Sequence, residues 1–274
     1  MVQNFFDLSK CNLCGICFAI CPVKIIYKDE KTGSPFVSET NIGACIRCGH
    51  CEAVCPRNAI QINHEKLLRV PDLMVTEKMT PKQIKAYFLG RRSVRAYKQD
   101  PVGKEVINEI LDIVRYAPSG VNRQPVKWIF VQDQKTVNQM ANAVINWMRE
   151  AVEKKSPLAA QLNFARLIKS WDKGNDPICR NAPHLIIAYG KKEDRMASGD
   201  ATIALAHLEL VVPAFGLGAC WAGYFGIAAS GSQDLKNLME LPQDHVVFGA
   251  LMIGFPKYKY ARVPKRNEVN VVWK

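Results

Sequence analysis

No apolar stretch in these 274 residues reaches the 18 or so uncharged residues needed to cross a bilayer. The first residues, MVQNFFDLSKCNLC, carry no basic head followed by an apolar run, so a secretory signal is not expected. No five consecutive Lys/Arg occur, and basic residues are not interleaved with aromatics, which argues against nucleic acid as a partner. The phosphate and catalytic signatures G-x-G-x-x-G, the Walker loop, H-E-x-x-H and G-x-S-x-G are all missing. Histidine is scarce, with five in all, and scattered, so packing or surface roles are expected for them rather than a catalytic base. The expectation is a cytoplasmic protein without membrane or nucleic-acid partners.

Acid is also in short supply. The chain has 25 Asp/Glu against 37 Lys/Arg, net +12. The imbalance is uneven: residues 1–66 hold seven basic and six acidic residues, and the remainder holds 30 and 19, net +11. A basic second part suits anionic ligands or acidic partners, although such charge also serves solubility alone. Composition is otherwise globular, with 48% apolar and 23% charged residues.

What is abundant is cysteine, ten in all. Eight fall in the first sixty residues as two runs, Cys11, Cys14, Cys17, Cys21 with Pro22, and Cys45, Cys48, Cys51, Cys55 with Pro56. Each reads C-x2-C-x2-C-x3-C-P. The offset is 34 residues at every position, and 11–26 aligned on 45–60 gives eight identities in sixteen. This is an internal duplication of one binding loop. A disulfide framework would need an oxidising compartment. Structural zinc favours paired CxxC knuckles across a longer spacer. Three cysteines at steps of three, with a fourth before proline, form the bacterial iron–sulfur pattern. Steps of three let a tight loop turn thiolates onto the corners of a cubane, and Gly15 and Gly49 let backbone N–H groups approach the sulfurs. The reading is two [4Fe–4S] clusters, with zinc and disulfides as the rivals. The other two cysteines, Cys179 and Cys220, read as structural.

The first domain, residues 1–65, resembles a bacterial two-cluster ferredoxin. That family crosses its ligands. The resemblance implies one cluster on Cys11, Cys14, Cys17 and Cys55, and the other on Cys45, Cys48, Cys51 and Cys21. The segment 27–39, with its Thr-Gly-Ser-Pro turn, is expected to be a β-hairpin.

Residues 66–79, interrupted by Pro71, read as a linker. Thr80-Pro81-Lys82-Gln83 then supplies an N-cap, a first-turn proline and a capping-box glutamine, starting a helix that ends near Gly90. Beyond it helical and strand patterns alternate in one α+β domain over 80–274. Helices are expected around Ile107–Val114, over 134–172 with a break at Pro157, and over 197–215. Strands are expected at 126–132, 184–190 and 246–254, with a short strand or extended turn at 219–225.

Four local signals stand out there. Arg91-Arg92-Ser93-Val94-Arg95 offers three guanidiniums and a hydroxyl, which suits a phosphate dianion but would also suit a solvated basic turn. The loop 117–125, APSGVNRQP, carries polar groups able to read the edge of a heterocycle, or simply stops a helix. Gly216–Gly223, GLGACWAG, places small residues about one tryptophan, suited to a flat ring or to a tight turn into a buried strand. The tail GFPKYKYARVPKRNEVNV carries Lys257, Lys259, Arg262, Lys265 and Arg266, which would return charge to the same phosphate or form a basic surface.

In this order and spacing the four resemble the nitroreductase family of flavoenzymes, over about 80–274. The resemblance implies an α/β sandwich binding FMN at the interface of a homodimer. It implies that Arg91, Arg92, Ser93 and Arg95 hold the phosphate and ribityl end, joined by Arg266 and by Lys265 or Lys259. It implies that Pro118, Ser119, Gly120 and Asn122 approach the flavin from the partner subunit, and that Trp221, Ala222 and Gly223 line the ring. Val126 stands where many members have tryptophan, and 146–180 carries no family motif. The fusion implies an oxidoreductase in which clusters deliver electrons from a low-potential donor, such as a ferredoxin- or flavodoxin-type protein, to FMN. An organic acceptor such as a nitroaromatic or quinone would receive them. NAD(P)H as donor, and a pure electron-transfer adaptor with FMN as relay, are the alternatives.

Overall fold

The structure is a computed structural model, and it describes residues 5–62 and 79–274. The linker expected at 66–79 lies, but for Met79, outside the described residues. Two compact units emerge. The first runs to Met79 and includes Gly120–Arg123; the second comprises Thr80–Ser119 and Gln124–Lys274.

In the first unit the sequence duplication becomes a backbone duplication. Helix α1 (Ile16–Ile20) and helix α2 (His50–Val54) are each preceded by a left-handed glycine, Gly15 at φ 76° and Gly49 at φ 71°. Leu13 and Arg47, and Lys24 and Asn58, also share positive φ, each pair again 34 residues apart. Between the copies, β1 (Tyr27–Lys28) pairs antiparallel with β2 (Pro35–Phe36). Asp29 closes this hairpin by accepting from Lys31 N, Thr32 N and Thr32 Oγ1. An isolated bridge between Phe6 and Ile60 ties the ends of the unit together. Its small core of Phe5, Phe6, Ile25, Ile26 and Ile60 includes two of the motif cysteines, Cys21 and Cys51.

The second unit is a sandwich about a four-stranded antiparallel sheet, β3 (Lys127–Val131), β4 (His184–Lys191), β6 (His245–Gly254) and β5 (Gly218–Trp221), in the order β3-β4-β6-β5. Alternate residues of β4 enter different cores, since a strand's side chains alternate faces. Ile186 and Ala188 join α4 (Lys104–Val114) and α8 (Ala197–Val211) on one side. Leu185 and Ile187 join α5 (Gln134–Glu153), α7 (Phe164–Asp172), α9 (Gly223–Gly231) and α10 (Gln233–Met239) on the other. The helical stretch expected at 134–172 is three helices, with α6 (Pro157–Gln161) between α5 and α7. Helix α8 stops at Val211, where Pro213 turns the chain into a 3₁₀ segment. Helix α3 (Pro81–Gly90) carries the full capping box, with Thr80 Oγ1 accepting from Gln83 N and Gln83 Oε1 accepting from Thr80 N.

Candidate functional site

In the first unit the eight motif cysteines line two cavities of about 410 and 430 Å³, counted to their mouths. One is ringed by Cys11, Cys14, Cys17 and Cys55, the other by Cys21, Cys45, Cys48 and Cys51. Each cavity thus draws three sulfurs from one copy of the loop and the fourth from the other. None of the ten cysteines is in a disulfide. Among the described residues no three His, Cys, Asp or Glu converge as ligands of a single metal ion do. Burial pushes the Cys51 thiol up to about 12 and raises Cys17 as well. Bare, these groups are neutral; a positively charged iron site is what stabilises them as thiolates. Four sulfurs around each apolar hollow fit a [4Fe–4S] cubane.

In the second unit, residues 91–95 leave α3 and run beside β5. Ser93 bridges to Ala219, and Val94 N donates to Ala219 O at 2.9 Å. The approach needs glycine at 218, where a Cβ would stand 2.8 Å from Val94 Cβ. This places Ser93, Arg95 and Cys220 together: burial raises the Cys220 thiol, while Arg95, Arg180 and a hydrogen bond with Ser93 pull it down. Arg180 was not among the residues singled out from sequence. It sits at φ 59° in a turn whose Asp176 accepts from the backbone N–H of Ile178, Cys179 and Asn181.

The three arginines of the motif differ in commitment. Arg91 pairs with Glu209, Nη1 to Oε1 at 2.8 Å. Arg92 donates to the carbonyls of Arg91 and Leu89, yet among the described residues its buried Nε has no partner. Among the described residues, the hydrogen bond that Arg95 makes is a long one to Ser93 O, 3.4 Å. A buried N–H without an acceptor is costly, and an anion's oxygens would satisfy it; the residues fit a phosphate. Trp221 is 38% exposed, and its Nε1 donates to Glu209 Oε2 at 3.2 Å. Ala222 is buried, and α9 starts at Gly223, so the first N–H groups of that helix lack intrahelical acceptors. Glu209 had no motif to reveal it; it lies on the apolar helix α8.

Pro118 and Ser119 line an open groove of about 1090 Å³ with residues of α4, Gln124, Trp128 and Asp200. Ser119 Oγ accepts from Gln124 N at 3.0 Å. Val121, Asn122 and Gln124 all have positive φ, and for branched Val121 at φ 45° this is real strain, of the kind retained at functional loops. Gly120 and Asn122 group with the first unit, where Asn122 Nδ2 donates to the carbonyls of Ile46 and Arg47 at 3.2 and 3.0 Å. Lys259, Lys265 and Arg266 are exposed in the coil beyond β6, and among the described residues no hydrogen bond or ion pair joins them to residues 91–95.

Residues 89–255 match the nitroreductase family model. The chain belongs to the nitroreductase family. Ahead of that region, residues 10–60 match a 4Fe-4S dicluster domain, so this nitroreductase-family oxidoreductase carries an N-terminal ferredoxin domain. The FMN reductase [NAD(P)H] of Bacillus subtilis is 28% identical over 180 residues, 64% of this chain and 66% of that protein. The iodotyrosine deiodinase of Thermotoga neapolitana is 25% identical over 182 residues, 66% of this chain and 92% of that one. Among solved structures, the fold is shared with a nitroreductase with bound FMN from Bacteroides fragilis, at TM-score 0.58 and 19% identity over 70% of this chain and 99% of that one. It is also shared with an iodotyrosine deiodinase bound to FMN and 3-iodo-L-tyrosine, at TM-score 0.52 and 22% identity over 70% and 98%. Among the described residues no helix is long and apolar enough to cross a membrane.

Proposed function

We propose that this chain is an FMN- and iron–sulfur-dependent oxidoreductase. It takes electrons from a low-potential donor through two [4Fe–4S] clusters to FMN, and from there to an organic acceptor such as a nitroaromatic or quinone. The carrying observation is the pair of cavities, each ringed by four cysteines drawn from both copies of the motif, in one chain with a nitroreductase-family unit. When bound, the clusters supply one-electron steps, and FMN joins one- to two-electron chemistry.

The chain's residues hold and orient these groups. Cys11, Cys14, Cys17 and Cys55 ligate one cluster; Cys21, Cys45, Cys48 and Cys51 ligate the other. Arg92, Ser93 and Arg95, with Lys265 and Arg266 from the tail, take the phosphate and ribityl end of FMN. Trp221, Ala222 and Gly223 flank the ring, and a partner subunit's loop bearing Pro118–Asn122 completes the pocket. A homodimer is supported by unpaired apolar surface on the second unit. Helix α3 buries no residue and exposes Ile84 and Phe88, one turn apart; α8 exposes Ile203. Light scattering should give twice the chain mass. Cytoplasmic residence fits iron–sulfur chemistry in a reducing compartment.

NADH or NADPH as direct donor is a second reading, favoured by the named activity of the B. subtilis relative. Anaerobic stopped-flow reduction of the flavin by NADH, NADPH and reduced ferredoxin, each alone, tests both. Fast reduction by ferredoxin supports the route through the clusters. Fast reduction by a nicotinamide alone overturns it.

A further inference from the structure

Glu209 touches two residues of the candidate flavin site at once. Its Oε1 accepts from Arg91 Nη1 at 2.8 Å and its Oε2 from Trp221 Nε1 at 3.2 Å. The acid is 13% exposed and the guanidinium 25%. A carboxylate close to a site for a phosphate opposes that ligand by charge repulsion, so its presence there calls for a countervailing role. Both oxygens are engaged by different groups, which fixes the carboxylate plane and, through charge-assisted and directional hydrogen bonds, the two partners. Arg91 leaves the end of α3 and Trp221 ends β5. Glu209 on α8 is the shared anchor of these two elements.

We propose that Glu209 is a positioning residue of the flavin site, holding the Arg91 guanidinium and the Trp221 indole in a single arrangement before flavin enters. The proposal rests on the FMN reading above. It divides the cations of the motif by role. Arg91 is committed to the carboxylate and acts as a brace. Arg92 and Arg95, without an acid partner among the described residues, remain for the phosphate. It also makes residues 91 and 221 interdependent, because they share one acceptor.

The test is a double-mutant cycle on flavin affinity in the full-length, cluster-loaded, flavin-stripped chain. FMN is titrated into wild type, Arg91→Gln, Trp221→Phe and the double variant, and bound flavin is read by fluorescence quenching. The double variant should lose less affinity than the product of the single losses, by about fivefold, the scale of coupling through a shared partner. Repeated on a Glu209→Gln background, where the side chain can still accept from the indole but carries no charge for Arg91, the coupling should vanish. Losses that multiply independently in the Glu209 background overturn the proposal, as does coupling that survives Glu209→Gln. A purely structural Glu209 would lower the melting temperature and leave the cycle multiplicative. If Glu209→Gln does not fold, the first cycle still decides, since it leaves residue 209 intact. A wild-type chain with no affinity for FMN overturns the flavin reading itself, an outcome distinct from multiplicative losses in a wild type that binds it.

Discussion

The two units solve the problem of a small interior in opposite ways. In the first, the residues that would make a core are few, and two of them, Cys21 and Cys51, are also motif cysteines. The interior and the proposed metal site are the same place. In the second, two extensive apolar layers sandwich the sheet without help, and the candidate flavin residues sit at the sheet's margin, on strand ends and helix ends. A unit that folds around its ligands depends on them for existence; a unit that folds first can carry its ligand as a removable part.

Removing iron is therefore the largest perturbation expected. Anaerobic chelation should abolish the cooperative melting of the first unit, because a core this small needs its metal, and should leave the transition of the second unit in place. Calorimetry before and after chelation checks this, and a first unit that melts unchanged without iron would break the contrast.

Next in size is a single ligand. The purified chain should hold about eight irons, and Cys55→Ala about four, if each cluster takes four thiolates. The lost cluster should be the one on Cys11, Cys14 and Cys17. Iron analysis with electron paramagnetic resonance on the reduced protein distinguishes this from loss of the cluster nearest in sequence.

In the second unit, Arg92→Gln or Arg95→Gln should weaken FMN by about 1.5–3 kcal/mol each, the worth of a hydrogen bond to a charged group. Riboflavin, which has no phosphate, should bind the variants and wild type alike. Melting of the flavin-free chain should barely move, since these arginines hold nothing in the core. A large fall in melting temperature would show that site and scaffold are not separable here either.

The smallest effect concerns His184 at the start of β4. Its Nε2 accepts from Val102 N at 2.9 Å, and burial lowers its pKa from 6.5. With the folded value depressed, the unfolded chain binds the proton first as pH falls, so the second unit loses stability below about pH 6.5 and regains it above. His184→Gln, which can still accept from Val102, should flatten the dependence of melting temperature on pH between 7 and 5.5. An unchanged slope would assign that dependence to other groups.

The same contrast explains what could be read from sequence. Ligands that close on one small object must follow a short spacing, so both cavities were legible in eight cysteines, down to the exchange of Cys21 and Cys55 that the ferredoxin resemblance implies. The capping box at Thr80 and the break at Pro157 were legible because local backbone chemistry decides them. The end of α8 was less so: the apolar pattern runs on to residue 215, whereas Pro213 ends the α-helix at Val211. Glu209 and Arg180 were invisible. Tertiary packing alone brings Glu209 to Arg91 and Arg180 to Cys220, and neither has a motif neighbour in sequence.

The crossed cavities have a further consequence for the halves of the first unit. Each copy of the loop supplies three cysteines to its own cavity and one to its sibling's. Neither copy is a complete holder. Were the chain cut between Lys31 and Gly33, in the hairpin, each fragment alone would lack one of the four cysteines that ring its cavity, and the two would have to recombine to regain both sets. A single ancestral loop would face the same shortage and could meet it only by exchanging its fourth cysteine with another molecule. With both copies in one chain the exchange is intramolecular and independent of protein concentration, and neither site is complete without the other copy.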